Sequence, residues 1–351
     1  MNTEYIELGE NNLDFTAISR AGEIIKKGGL VAFPTETVYG LGGDALNPES
    51  SKKIYAAKGR PSDNPLIVHI CCMEDLEKIV KEIPKEAKIL ADKYWPGPLT
   101  MIFKKNDCVP LETTGGLDTV AVRFPSNIIA REFIRASGGY VAAPSANLSG
   151  RPSPTEAKYV LEDMDGRIEM IIDGGASVIG LESTIVDMTV DVPMVLRPGY
   201  ISGDMVKDTL NKVAYDPAVF GEVTQGLKPR APGMKYRHYA PKGQLTIVSG
   251  SMENVTKYMK EALEDNLRQG KRVGIIATKD AGNIYSNATC VFDMGDRNDE
   301  ETIAHRLYTV LRRCDDENID VIFSEEFDTP KMGQAIMNRL IKAAGHNIVR
   351  V

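Results

Sequence analysis

Little in this sequence suits covalent catalysis or a resident metal. Five cysteines and four histidines stand among 351 residues. The cysteines (Cys71, Cys72, Cys108, Cys290, Cys314) are odd in number and contain no C-x-x-C pair, which fits neither a disulfide framework nor a zinc site. The histidines (His69, His238, His305, His346) lack zinc-ligand spacing. No G-K-[ST] completes a Walker-type phosphate loop, and no G-x-S-x-G marks a nucleophile elbow. No run approaches the roughly 18–20 apolar residues that span a bilayer. The opening MNTEYIELGENNLDF is polar and acidic, without the pattern of a secretory signal, so a reduced, cytoplasmic protein is expected. Nor is there a basic surplus. Lys and Arg total 42 against 49 Asp and Glu, a net charge of −7. The surface as a whole is not built for nucleic acid, although a phosphate site needs only a few well-placed cations.

What is present divides into two rhythms, and the length alone favours two domains. Over 1–212 short apolar runs read as strands: 30–35, 66–70, 99–103, 119–124, 140–145, 170–174, 184–188 and 194–199. Helices fit at 15–27, 49–58, 74–93, 126–136 and 202–212. Some strands follow one another with no room for a crossover helix, so an α+β arrangement with a mixed sheet is expected. From 213 to 241 the periodicity lapses into a Pro-, Gly- and Tyr-rich stretch, read as a linker or lid. Over 242–351 strands (244–250, 272–278, 289–294, 320–326) alternate with helices (251–268, 299–316, 333–345), the signature of a small Rossmann-like α/β domain.

Two decoys fall away. YGLGGDA (39–45) contains G-x-G-x-x-A, but the required acidic residue about 20 positions on is absent, where Arg60, Pro61 and Ser62 stand. DMDGR (163–167) lacks the remaining acidic positions of a calcium loop.

Polar segments at strand ends carry what chemistry there is. PTETVYGLGGDA (34–45) offers the hydroxyls of Thr35 and Thr37, with Gly40, Gly42 and Gly43 read as permitting close approach to a ligand. In KGRPSDNPLIVHI (58–70), Lys58 and Arg60 pair an ammonium with a forked guanidinium, a combination suited to a triphosphate. His69 ends an otherwise apolar strand. Arg123 interrupts the apolar TVAV-R-F, and a buried guanidinium needs a carboxylate or a ligand. APSANLSGRPSPT (143–155) concentrates Ser145, Asn147, Ser149 and Ser153; Ser183 and Arg197 flank later strands. Taken singly, each also reads as a capped turn, a solvated cation or a Ser/Pro loop.

Together they do not. PTETVYGLGGDA, KGRPSDNPLIVHI, WPGPLT, VAVRFP, APSANLSGRPSPT, LESTIVD and LRPG resemble, in order, the signature of the YrdC family. PRAPGMKYRHYAP (229–241) followed by a small α/β domain is similar to the family's two-domain members. The resemblance implies a twisted α/β domain with a positive concave cavity. It implies conversion of L-threonine, bicarbonate and ATP to threonylcarbamoyl-AMP and pyrophosphate, a nucleotidyl transfer. The product would pass to proteins that modify the adenosine beside the anticodon of ANN-decoding tRNAs. By the same resemblance Thr35, His69, Arg123 and Ser183 bind threonine. Lys58, Ser62, Thr119, Ser145, Asn147, Ser153, Arg197 and Tyr236 contact ATP, and Lys58 and Arg60 are the catalytic cations.

The expected mechanism needs no protein nucleophile: a threonine carbamate attacks the α-phosphorus, and positioning and charge supply the rate. Mg²⁺ is expected, held mainly by the phosphates and water. The rival reading is a non-catalytic double-stranded RNA- or tRNA-binding module, against which the acidic charge and the absence of an aromatic–basic stacking pattern weigh.

Overall fold

The computed structural model describes residues 2–220, 238–327 and 329–351. Its internal contacts form two compact units, Met1–Ser149 with Ser153–Lys235, and Gly150–Pro152 with Tyr236–Val351.

The first unit opens with β1 (Glu4–Glu7), α1 (Phe15–Lys26), β2 (Val31–Phe33), β3 (Gly40–Asp44) and α2 (Pro48–Lys58). Next come β4 (Ile67–His69), α3 (Met73–Ile79), α4 (Lys85–Tyr94), β5 (Leu99–Lys104) and β6 (Thr119–Arg123). Then follow α5 (Ile128–Ala136), β7 (Val141–Ala143), α6 (Ala157–Met164), β8 (Met170–Asp173) and β9 (Thr184–Asp187). The unit's described part closes with β10 (Met194–Arg197), α7 (Gly203–Leu210) and β11 (Ala214–Tyr215). One mixed sheet joins the strands in the order β1-β8-β2-β3-β7-β4-β6-β5-β9-β10-β11.

Alternation along the strands decides what each face does, because successive side chains point to opposite sides. Val68, Met101, Phe103, Val120, Val122 and Val186 enter the main apolar core. Full burial of each such side chain stabilises by about 1.5–3 kcal/mol. On the other face α1 and α5 cover part of the sheet, packing Ile18, Ile25, Phe133 and Ile134 onto Val31, Phe33 and Val141. Asp14 starts α1 by accepting from the Thr16 and Ala17 amides. Beyond that cover, the same face of β4, β6, β5 and β9 carries the small apolar cluster Ile67, Ile102, Ala121 and Ile185. The polar residues of the motifs alternate with it.

Two local expectations are corrected. The helix expected over 74–93 is two helices, α3 and α4, because Pro84 lies in extended backbone ahead of α4. GLGGD is strand β3. A Cβ on Gly42 would sit 2.8 Å from a Val141 methyl, and one on Gly40 would sit 3.0 Å from the Phe33 ring. These two glycines make room for neighbouring strands' side chains, in place of the close ligand approach expected of them.

The second unit contains β12 (Gln244–Ser249), α8 (Met252–Arg268), β13 (Val273–Ala277), β14 (Cys290–Asp293) and α9 (Glu300–Asp316). It ends with β15 (Val321–Glu325), α10 (Gly333–Ala343) and β16 (Ile348–Arg350). All five strands pair in parallel, in the order β14-β13-β15-β12-β16. Of the stretch read as linker or lid, 213–220 contains β11 and a 3-10 turn at Pro217–Phe220, and 221–237 lies outside the described residues. Among the described residues no helix is long and apolar enough to cross a membrane.

Candidate active site

Strand register brings together residues far apart in the chain. His69 is paired with Arg123 across β4 and β6, and Arg123 with Thr100 across β6 and β5. Thr100 is paired with Ile185 across β5 and β9, and Ile185 with Arg197 across β9 and β10. Directly opposed residues share a face, so these five form one row on the face beside α1 and α5. The Thr100 and Ser183 hydroxyls share a hydrogen bond of 2.7 Å. Arg197 Nε donates to the Ser183 carbonyl at 3.1 Å and its Nη2 to the Ser183 hydroxyl at 3.2 Å. Gly199, in LRPG, is required here: a Cβ would lie 2.5 Å from the Thr184 amide nitrogen and 2.7 Å from the Glu182 carbonyl.

Arg123 has the carboxylate its burial demands. Its Nη2 stands 2.8 Å from Glu36 Oε1, with the two side chains only 5% and 9% exposed. The approach is close enough for an ion pair but is not aligned as a hydrogen bond. Both Glu36 oxygens and Arg123 Nε and Nη2 are buried without a hydrogen-bond partner. Buried charged atoms in that state are rare in native proteins and point to a missing ligand or water. The imidazole of His69 lies beside them, with Nδ1 3.1 Å from the Ile67 carbonyl oxygen. Complete burial, then the Arg123 charge, push its pKa down to about 3, so it is neutral at ordinary pH. Thr35 is buried, its hydroxyl 2.9 Å from that of Thr37 and donating to the Val38 carbonyl at 2.6 Å.

A second cluster gathers at the opposite end of β4. Lys58 closes α2, is buried, and donates from Nζ to the Ser145 and Asn147 carbonyls, each at 2.5 Å. Ser145 Oγ donates to Asn147 Oδ1. The Ser149 amide returns to the Lys58 carbonyl at 2.8 Å. The ammonium thus fixes the loop after β7 while facing the carbonyl side of a polar turn. Ser153 is buried and donates to Glu182 Oε1 at 2.7 Å. Glu182 immediately precedes Ser183, and the Ile179 and Gly180 amides donate to the Glu36 and Thr37 carbonyls. These bonds tie the two clusters together.

Thr119 shares the face of Arg123 but stands four residues away along β6, about 13 Å. Only an extended ligand touches both. Arg60 turns its guanidinium to the Asn64 and Pro65 carbonyls, at 3.2–3.4 Å, and Ser62 is exposed. Tyr236 lies outside the described residues. Sequence reasoning passed over Glu36, Thr100 and Glu182. Glu36 stood in view within PTETV, and a search for the carboxylate that Arg123 requires would have reached it.

No carboxylate set for Mg²⁺ is present at this face among the described residues, since Glu36 faces Arg123 and Glu182 accepts from Ser153. One trio does lie close enough to share an ion: Cys71, Cys72 and Asp75, on another element. Asp75 there already accepts from Tyr140 at 3.2 Å and pairs with Lys78. Burial raises both thiols, Cys72 to about 11, which keeps them protonated and poor ligands.

Known proteins are similar to this chain over nearly its whole length. The family model described as telomere recombination, Sua5/YciO/YrdC, matches residues 23–199. The model described as threonylcarbamoyl-AMP synthase, C-terminal domain, matches 201–345. The threonylcarbamoyl-AMP synthase of Pyrococcus abyssi is 47% identical, covering 94% of this chain and 95% of the relative. That of Bacillus subtilis is 46% identical, covering 95% and 94%. The crystal structure of P. abyssi Sua5 complexed with L-threonine superposes with a TM-score of 0.93 at 46% identity, covering 99% of this chain and all of that one. This chain therefore belongs to the Sua5/YciO/YrdC family, in its two-domain form.

Proposed function

We propose that this protein is a threonylcarbamoyl-AMP synthase, a nucleotidyltransferase that converts L-threonine, bicarbonate and ATP to threonylcarbamoyl-AMP and pyrophosphate. The observation that carries the reading is the buried Arg123–Glu36 pair, whose polar atoms lack hydrogen bonds beside the hydroxyls of Thr35, Thr100 and Ser183. An amino acid completes that pair. Its carboxylate takes the forked Arg123 guanidinium, its ammonium takes Glu36, and the hydroxyl of threonine finds polar neighbours. The relatives' names and the threonine held by the P. abyssi protein support the same substrate.

ATP extends from that end toward Lys58, with Thr119, Ser145, Asn147, Ser153, Arg197, Ser62 and Tyr236 as its contacts. The amine, once deprotonated, takes up bicarbonate as a carbamate with loss of water. A carbamate oxygen then attacks the α-phosphorus and pyrophosphate leaves. Lys58 and Arg60 stabilise the charge that develops on the phosphates, so catalysis is positioning and electrostatics. Mg²⁺ would come bound to the triphosphate and offset its charge. The product serves threonylcarbamoyl transfer to ANN-decoding tRNAs in the cytoplasm. The test is pyrophosphate release with mass-spectrometric detection of threonylcarbamoyl-AMP, omitting each substrate in turn. Pyrophosphate release that is indifferent to threonine or bicarbonate overturns the proposal.

A further inference from the structure

One buried hydroxyl at the nucleotide end has its proton already committed. Ser153 is 1% exposed, and its Oγ donates to Glu182 Oε1 at 2.7 Å. A serine hydroxyl has one proton and two lone pairs, whereas a carboxylate has lone pairs only, so chemistry fixes the direction of this bond. Ser153 Oγ therefore meets any ligand with its lone pairs. Among the described residues no donor fills them.

Both partners stand on pinned backbone. The Tyr39 amide donates to the Pro154 carbonyl and the Ser177 amide to the Thr155 carbonyl, each at 2.9 Å, so the chain just after Ser153 is held twice. Across the bond, the Gly180 amide donates to the Thr37 carbonyl at 3.1 Å, and Arg197 holds the Ser183 carbonyl and hydroxyl. Glu182 lies between these anchors and is itself buried. A Ser153 hydroxyl that swung toward a ligand would exchange one charge-assisted bond for another at best. It would also leave a desolvated carboxylate oxygen without its donor. The consequence is selective. A phosphate oxygen brings only lone pairs, and it would meet those of Ser153 with the Glu182 carboxylate behind them. The complementary groups on ATP are its donors, the ribose hydroxyls and the adenine 6-amino group.

We propose that Ser153 recognises the nucleoside half of ATP, accepting a hydrogen bond from a ribose hydroxyl or from the adenine amino group, with Glu182 as the positioning residue that sets its polarity. The assignment rests on the synthase reading for ATP as the ligand. Calorimetric titration of the full chain compares ATP with 2′-deoxy-ATP, 3′-deoxy-ATP, purine riboside triphosphate (which lacks the amino group) and pyrophosphate. In Ser153→Ala the preference for ATP over one of the three analogues should shrink about 2- to 12-fold, the usual contribution of a neutral hydrogen bond. Pyrophosphate binding should not change, and the analogue affected identifies the donor. Glu182→Gln is isosteric but can turn an N–H toward Ser153, so it should lessen the same preference and spare the other two. Should Ser153→Ala fail to fold with Glu182 stranded, Ser153→Ala combined with Glu182→Gln takes its place. The proposal is overturned if all three preferences survive the loss of Ser153, if pyrophosphate weakens as much as ATP, or if ATP does not bind. A Glu182→Gln variant that weakens every nucleotide equally overturns the positioning role. Nucleotide binding with this discrimination but without threonine-dependent pyrophosphate release would sink the synthase reading and leave the Ser153 assignment standing.

Discussion

Replacing Arg123 by alanine, alone and together with Glu36→Gln, separates what the buried pair does for stability from what it does for threonine. In the single variant Glu36, only 9% exposed in the parent, loses its cation. Removing one partner of a buried pair costs about 3–5 kcal/mol, because the remaining charge is desolvated and uncompensated. At roughly 2–4 °C per kcal/mol for a unit of this size, Tm should fall by about 6–20 °C. The double variant replaces the stranded carboxylate by a neutral amide and should recover most of that loss. Threonine binding should not recover. Losing a charge-assisted hydrogen bond of about 1.5–3 kcal/mol corresponds to an increase of about 10- to 150-fold in KM for threonine in the single variant, and the double variant, which also lacks the Glu36 charge that takes the ammonium, should lose at least as much. The assays are thermal unfolding and pyrophosphate release against threonine concentration. A double variant with parental KM would show that Arg123 does not hold the substrate carboxylate. A single variant as stable as the parent would show that the pair is not desolvated.

Three further outcomes follow from the same geometry. His69 titrates near 3 when folded and near its ordinary value of about 6.5 when unfolded. Between those values the unfolded chain binds the extra proton, so stability should rise with pH by up to about 1.4 kcal/mol per unit; His69→Gln should flatten that part of the urea-midpoint profile, and an unchanged slope refutes the neutral imidazole. Lys58→Met leaves the Ser145 and Asn147 carbonyls without their cation and removes charge from the phosphates, so kcat should fall about 100-fold or more; near-parental turnover at saturating ATP counts against its role. Gly199→Ala drives a Cβ onto backbone at Thr184 and Glu182 and should cost about 1–3 kcal/mol of stability in thermal unfolding, whereas an unchanged Tm would mean the LRPG turn relaxes freely.

Local pattern sufficed for a good part of this protein. The alternation in TVAVR separates Thr119 and Arg123 from the core valines, and no knowledge of neighbouring strands is needed to read it. The strand–helix alternation of the second unit is equally local, and the order of the polar motifs carried the family. Period, cap and turn chemistry act over a few residues, which is why they survive in the sequence as text.

Register and strand order are different, because they are decided by packing between segments distant in the chain. GLGGD has no strand propensity and becomes β3 only because its glycines admit the Phe33 ring and Val141 between neighbouring strands. Glu36, between β2 and β3, meets Arg123 only because the sheet order β2-β3-β7-β4-β6 places those strands in one sheet, and Ser183 meets Thr100 only because β9 lies beside β5. Composition and spacing therefore named most of the polar groups, and the tertiary structure alone decided which of them share a face, which are buried, and which lack a partner.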